Sequence, residues 1–322
     1  MTATPPEIDG VTLLDPAYAA VLGELPAFHL THETVVVMRD QINAVAPPFE
    51  PSGQVVHTEH TVPSYDGFDV TLRVYTPSGF AGALPCVYGI HGGGYVMGTY
   101  EMLDRVFDGW CSRLGCVGVS VEYRLAPEHP YPAPLEDCYA GLAWVHAHAA
   151  DLGVDPDRIG LQGTSAGGGL AAALALLARD RGEIPLAFQV LECPMIDDRF
   201  HTDSSNIDKL QVWSRESNVF GWQSYLGDLY GSADVPYHAA PARAEDLAGL
   251  PPTIICVGGA DGFRDEDVLY ALRLSQVGVP TELHVYPGAP HGAMIVPTAP
   301  AAIQWDRDVE DWLARQIGPT DV

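Results

Sequence analysis

The chain has 322 residues, 47% of them hydrophobic, and a formal net charge of −26 with Lys209 as its one lysine. This length and apolar content allow a large core, in one α/β domain or in a domain with a small cap. The acidity argues against a nucleic-acid partner, because phosphates need clustered Lys and Arg, and reads as a solvated surface.

The N-terminus, Met1-Thr-Ala-Thr-Pro-Pro-Glu7, has no basic region followed by an apolar run, and no stretch is long enough to span a membrane, so neither a secretory signal nor stable membrane association is expected. Asp15 to Leu22 and His32 to Val45 read as short helices, separated by Leu25-Pro26 and ended by Pro47-Pro48. Val35, Val36, Met38, Ile42 and Val45 form an apolar stripe on the second of these. Val55 to His60 and Val70 to Tyr75 read as antiparallel strands joined by a turn at Tyr65-Asp66-Gly67. A strand at Pro85 to His91, a helix at Leu103 to Leu114, a strand at Val117 to Glu122 and a helix at Leu135 to Ala149 follow. A strand then runs into Ile159-Gly-Leu-Gln-Gly-Thr-Ser165, turns abruptly, and continues as an Ala-rich helix to about Arg181. Leu186 to Cys193 is the next strand.

Residues 195–240 break this rhythm; they hold Trp213, Phe220, Trp222, Tyr225 and Tyr230 and read as an insertion. Alternation resumes with strands at Thr253 to Val257 and Thr281 to Tyr286, and helices at Asp265 to Val277 and Ala301 to Gln316. Strands alternating with helices predict an α/β fold: a mainly parallel sheet covered on both faces. The six cysteines (Cys86, Cys111, Cys116, Cys138, Cys193 and Cys256) form no C-x-x-C pair; several fall in apolar patterns, as small buried thiols do, which points to a reducing cytoplasm and away from a metal site.

Gly163, Ser165 and Gly167 fit G-x-S-x-G, in which a serine on a sharp strand-to-helix turn projects its hydroxyl above the sheet. The backbone at the flanking positions is too crowded for side chains, and the helix that begins at the serine favours developing negative charge. A base and an acid should follow in the order Asp, then His. His291, in the loop after the last strand, is the candidate base, and Asp261, just past the Thr253–Val257 strand, the candidate acid. Asp265, Glu266 and Asp267 compete with Asp261 but read as first-turn acids of the next helix. His91-Gly-Gly-Gly94 follows the third strand and matches the loop that supplies oxyanion-hole donors; Gly93, Gly94 and Ala166 are the candidate N–H donors. His91 itself reads as a structural residue holding that loop.

Taken with Tyr123-Arg-Leu-Ala-Pro-Glu128, Arg264-Asp-Glu266 and His291-Gly292, these pieces run from about residue 86 to 292, and the sequence resembles the bacterial esterases of the hormone-sensitive-lipase family, family IV. Thr164 places it near the G-T-S-A-G branch. The resemblance implies an α/β-hydrolase fold with an eight-stranded sheet and a helical cap. In that reading 1–50 and 196–240 form the cap, and 51–195 with 241–322 form the catalytic domain. It implies a Ser165-Asp261-His291 triad, hydrolysis of small-molecule carboxylic esters through an acyl-enzyme, and no cofactor or metal. Short- to medium-chain neutral esters are the expected substrates, and a homodimer through the last strand is compatible with the family. Ala293 stands where members often carry Phe, a change expected to reshape the pocket, while Glu192 and Asp197 are either supporting groups near the site or ordinary strand-end and turn acids.

Three alternatives weigh against this reading. Gly167-x-Gly169-x-x-Ala172 formally fits a dinucleotide fingerprint, but its glycines lie after the serine, inside the helix, and not in the turn that opens a β-α-β unit. A non-catalytic binding protein, as in the related plant gibberellin receptors, would be marked by loss of the triad histidine, and His291 is present. A lipase would act on longer acyl chains.

Overall fold

The structure is a computed structural model that describes residues 9–23, 29–45 and 49–318, with the backbone alone described at 42–45. Its elements in order are α1 (Pro16–Leu22), α2 (Thr34–Val45), β1 (Val55–Pro63), β2 (Asp69–Pro77), β3 (Leu84–Ile90), α3 (Asp104–Leu114), β4 (Val117–Glu122), α4 (Ala133–Ala147), β5 (Val154–Thr164), α5 (Ala166–Arg181), β6 (Gln189–Glu192), α6 (Arg215–Leu226), β7 (Thr253–Ala260), α7 (Arg264–Gln276), β8 (Thr281–Pro290) and α8 (Pro300–Ile317).

The strands form one eight-stranded sheet in the order β1-β2-β4-β3-β5-β6-β7-β8. β1 pairs antiparallel with β2, and β2 antiparallel with β4; every later pairing is parallel. Among the described strands β2 alone therefore runs against the rest. β3 is buried at every position, as a central strand covered on both faces must be. Leu142, Leu170, Leu174 and Leu274 of α4, α5 and α7 pack on one face of the sheet. Phe107, Trp305 and Trp312 of α3 and α8 pack on the other, together with Tyr18 of α1. The glycines that follow α3 and α5, Gly115 and Gly182, take left-handed φ values of 68° and 66° and end those helices.

Parallel pairing brings the functional loops to one edge. Ile90 pairs with Gly163, Gly163 with Leu191, and Thr164 with Glu192, so the ends of β3, β5 and β6 lie side by side. Gly258 of β7 pairs with Tyr286 of β8 at the same carboxyl end.

Several expectations change in detail. The predicted strand over 186–193 is confined to Gln189–Glu192, because only these residues bridge β5 and β7. Of the apolar stripe on α2, Val35 is buried and Met38 packs on the core, but Val36 is exposed; the side chains of Ile42 and Val45 lie outside the described residues, as do Leu25-Pro26, Pro47-Pro48 and Met1 to Glu7. The insertion holds a helix that the sequence pattern did not reveal. α6 starts at Ser214, whose Oγ accepts from the Ser217 N–H, and it buries Phe220, Trp222, Tyr225 and Leu226. A helix packed on several sides presents no single apolar stripe to find. The Ser214 cap was its readable signal.

The N-terminal segment packs on α6 and on the loop after β3. The Leu30 N–H donates to Ser217 Oγ at 3.0 Å, and His32 meets the Phe220 ring edge-on with centroids 5.0 Å apart. Arg39 of α2 donates to the carbonyls of Val96 and Ala126 and forms a two-pronged pair with Glu128 at 2.8 Å. Arg124 of the same Tyr123–Glu128 stretch forms a buried two-pronged pair with Asp137. No helix among the described residues is long and apolar enough to cross a membrane.

Candidate active site

Ser165 sits between β5 and α5 at φ 59°, ψ −122°, a backbone state that costs a residue with a side chain about 1–3 kcal/mol. Three backbone bonds hold it there. Its N–H donates to the Glu192 carbonyl at 2.8 Å, and its carbonyl accepts from Met195 and Gly169 at 2.9 Å each. The flanking glycines have no room for a side chain: a Cβ on Gly163 would lie 2.1 Å from the Gly167 carbonyl oxygen, and one on Gly167 would lie 2.0 Å from that of Ile90. Both obstructions are backbone, so neither can rotate away. Gly167→Ala is expected to destabilise the fold by about 3 kcal/mol or more, read as a fall in the thermal midpoint. An unchanged midpoint would contradict this packing.

His291 Nε2 lies 2.9 Å from Ser165 Oγ, and its Nδ1 lies 2.8 Å from Asp261 Oδ2. Asp261 also accepts from the Phe263 N–H through Oδ1 at 3.0 Å, which fixes the carboxylate plane. The Phe263 ring meets the imidazole edge-on at 4.9 Å. The three side chains are enclosed, with Ser165 7%, His291 6% and Asp261 1% exposed. Burial works to lower the His291 pKa, but the adjacent Asp261 carboxylate, helped by the neighbouring Cys193, outweighs it and holds the imidazole well above its ordinary value. Two surface clefts of about 400 and 370 Å³ lie elsewhere, the first beside Arg39, Glu122, Arg124 and Glu128; Ser165, Asp261 and His291 line neither cleft.

His91-Gly-Gly-Gly94 runs directly over the serine. A Cβ on Gly92 would lie 3.3 Å from Ser165 Cβ, and Gly93 and Gly94 take φ values of 119° and 61° that a side chain would resist. The loop is folded on itself by the Val96 and Met97 N–H groups, which both donate to the Gly93 carbonyl. Among the described residues, the N–H groups of Gly93, Gly94 and Ala166 donate to no acceptor. His91 is buried, stacks on Tyr123 at 4.2 Å, and contacts the Gly92 carbonyl through Nδ1 at 2.8 Å. Burial lowers its pKa to about 4, so it is neutral near pH 7.

Glu192 and Asp197 diverge. The Glu192 carboxylate accepts from Gln162, Thr164 and, at 2.8 Å, from the Trp305 indole of α8, so it ties the elbow strand to the far helix. Thr164, the branch-marking residue, is thus one of the groups holding it. Asp197 instead pairs with Arg199 at 2.7 Å in the turn beyond β6. Asp265, Glu266 and Asp267 do form the first turn of α7. Glu266 and Asp267 are nevertheless buried, and desolvation raises both well above the usual carboxylate range. Ala293 is buried in the core on the α8 side of the sheet.

Two neighbours of the site escaped the sequence reading. Cys193 is buried at φ 38°, and its Sγ, an Asp261 oxygen and a His291 nitrogen lie within 4.8 Å of one another. These are metal-ligand types, but Asp261 and His291 are engaged in the hydrogen bonds above. The second neighbour, Trp213, lies against Gly94: a Cβ there would sit 2.1 Å from its Cη2.

Comparison with known proteins agrees with this geometry. A family model described as alpha/beta hydrolase fold matches residues 87–295. Carboxylesterase NlhH of Mycobacterium tuberculosis is 37% identical over 297 residues, covering 90% of this chain and 92% of that protein. Esterase LipI of the same organism is 36% identical over 299 residues, covering 90% and 92%. Among solved structures, a bacterial heroin esterase superposes with a TM-score of 0.90 at 41% identity, covering 96% of this chain and 99% of that one. The chain belongs to the α/β-hydrolase family, in its hormone-sensitive-lipase-like branch of carboxylic ester hydrolases.

Proposed function

We propose that the protein hydrolyses short- to medium-chain neutral carboxylic esters, with Ser165 as nucleophile, His291 as general base and acid, and Asp261 as the group that orients and stabilises the imidazole. The observation that carries this is the unbroken Asp261–His291–Ser165 chain of 2.8 and 2.9 Å contacts. Neutral His291 takes the Ser165 proton as Oγ attacks the ester carbonyl. The carbonyl oxygen, now an oxyanion, accepts from the N–H groups of Gly93, Gly94 and Ala166, and each such donor contributes roughly 3 kcal/mol to lowering the barrier. The imidazolium then protonates the departing alcohol, and water repeats the steps in reverse on the acyl-enzyme. Asp261 lowers the cost of the imidazolium that forms in both halves.

In this reading 1–50 and 196–240 act as a cap; the support, among the described residues, is their mutual contacts at Leu30–Ser217 and His32–Phe220. A reducing cytoplasm is the proposed location, supported by six free, buried cysteines. β8 is one of the two edge strands of the sheet, β1 being the other, and is the proposed dimer edge, which light scattering would test.

The test is a fluorophosphonate probe followed by peptide mapping. Label on the peptide holding Ser165 is expected; label elsewhere, or none, rejects the nucleophile. A p-nitrophenyl ester series is expected to peak between acetate and hexanoate and to fall by on the order of tenfold at dodecanoate. The acidic surface should also disfavour carboxylated esters at low salt, an effect that screening weakens as salt rises. A rate that climbs through dodecanoate would point to long-chain lipase action.

A further inference from the structure

Residues 208–213 form a strap laid across the loops that carry the site. Leu210 Cδ1 lies 3.0 Å from where a Cβ on Gly262 would be, next to Asp261; Val212 Cγ1 lies 3.8 Å from the corresponding point on Gly292, next to His291. Trp213 rests on Gly94 of the oxyanion loop. The strap is fixed at its far end, where the Gly10 N–H donates to the Asp208 carbonyl at 2.8 Å. Lys209 and Val212 take φ values of 54° and 70°, and a β-branched residue adopts such a value only when its surroundings impose it.

The indole of Trp213 is 7% exposed, and its Nε1 is buried without a hydrogen-bond partner among the described residues. Its ring centroid lies 6.2 Å from that of His291. Room for the oxyanion loop comes from α6, where Gly221 stands in mid-helix; a Cβ there would lie 2.9 Å from the Gly94 carbonyl oxygen and would touch Trp213 Cζ2 at 3.5 Å. A glycine inside a helix costs about 1 kcal/mol relative to alanine, so this position gives up helix stability to accommodate the loop on which the indole rests. A buried N–H left unpaired is also costly unless something accepts from it.

We infer that Trp213 is a specificity-determining residue on the leaving-alcohol side of the site: its ring forms the face along which the alcohol lies, and its N–H hydrogen-bonds an acceptor oxygen carried by that alcohol. The side follows from the geometry. In the proposed mechanism, on which this inference rests, His291 protonates the departing alcohol and Gly94 binds the carbonyl oxygen. A ring that borders both groups borders the C–O bond that breaks. The favoured substrates are then esters whose alcohol carries an ether or carbonyl oxygen a few bonds from the ester.

The experiment compares 2-methoxyethyl acetate with butyl acetate, alcohols of nearly equal shape that differ in one acceptor oxygen. The ratio of their kcat/KM values is measured in the wild type and in Trp213→Phe, which keeps a ring and removes the N–H. The ratio is expected to fall about three- to tenfold in the variant, the effect of deleting one neutral hydrogen bond. The matched acyl pair, p-nitrophenyl methoxyacetate and p-nitrophenyl butanoate, should keep its ratio. An unchanged alcohol ratio overturns the inference, and so does a shift in the acyl pair of equal size. If Trp213→Phe melts early, Trp213→Met, which also lacks the N–H, carries the same comparison. Ser165→Ala run on the same esters separates the two readings: turnover surviving there would reject the mechanism itself, whereas its loss beside an unmoved ratio would reject Trp213 alone.

Discussion

Replacing Ser165 with alanine is expected to lower kcat/KM toward p-nitrophenyl butanoate by on the order of 10⁵- to 10⁶-fold, the scale seen when a triad nucleophile is removed from a hydrolase. What remains should come from the oxyanion donors and from binding, which the substitution leaves in place. The thermal midpoint should barely move. Alanine has the same left-handed strain as serine at φ 59°, and the backbone bonds to Glu192, Met195 and Gly169 do not involve the side chain. The lost contact is the one to His291 Nε2 at 2.9 Å. A variant that keeps its midpoint and still turns over ester at a tenth of the wild-type rate would show that the attacking group lies elsewhere.

Asp261→Asn should be nearly as damaging at neutral pH, about 10⁴-fold in kcat, because an amide can present its NH₂ to Nδ1 and favour the wrong imidazole tautomer. It should also move the pH profile in a defined direction. His291 acts as a base only when neutral, so activity falls as pH drops through its pKa. Burial pulls that pKa down and the Asp261 carboxylate pulls it up, with the carboxylate dominant. Removing the negative charge takes away the larger of the two influences that oppose burial, leaving only the neighbouring Cys193, so the acid limb of kcat/KM should shift to lower pH. The deficit of the variant should accordingly shrink toward mild acid, where the wild-type imidazole is increasingly protonated. Full profiles between pH 5 and 10 would check this, and an acid limb that stays put or moves upward would reject Asp261 as the charge facing His291 Nδ1.

How much of this was readable in the chain depends on how local each constraint is. The elbow was legible because its motif lies within a few residues and part of its constraint is local: Gly163 is excluded from bearing a side chain by the backbone of Gly167, although Gly167 itself is excluded by the distant Ile90 carbonyl of β3. Asp261 and His291 were legible for a different reason. Parallel strands deliver their following loops to one edge, so a residue just past a strand end is placed by topology before any contact is known. Glu192 could be suspected but not understood, because its tie to Trp305 spans 113 residues and depends on how α8 docks. Asp197 illustrates the converse: near in sequence to Glu192, it is taken up by Arg199. Trp213 could not be placed at all. It sits in an insertion whose path is set by contacts with the Asp9–Gly10 segment, Gly94 and α6, and no periodicity encodes such a path.

The six free cysteines lie in two separate cores. Cys86 and Cys138 are packed on the α4–α5 side of the sheet, and Cys111, Cys116, Cys193 and Cys256 on the α3–α8 side. All are buried, and burial pushes the thiols of Cys86, Cys138, Cys111, Cys193 and Cys256 above their ordinary pKa, so alkylating reagents in solution meet few thiolates in the native protein. Their distribution makes the molecule its own strain gauge. Under slow denaturation, mass-resolved iodoacetamide uptake will tell which side of the sheet lets water in first, without any introduced label.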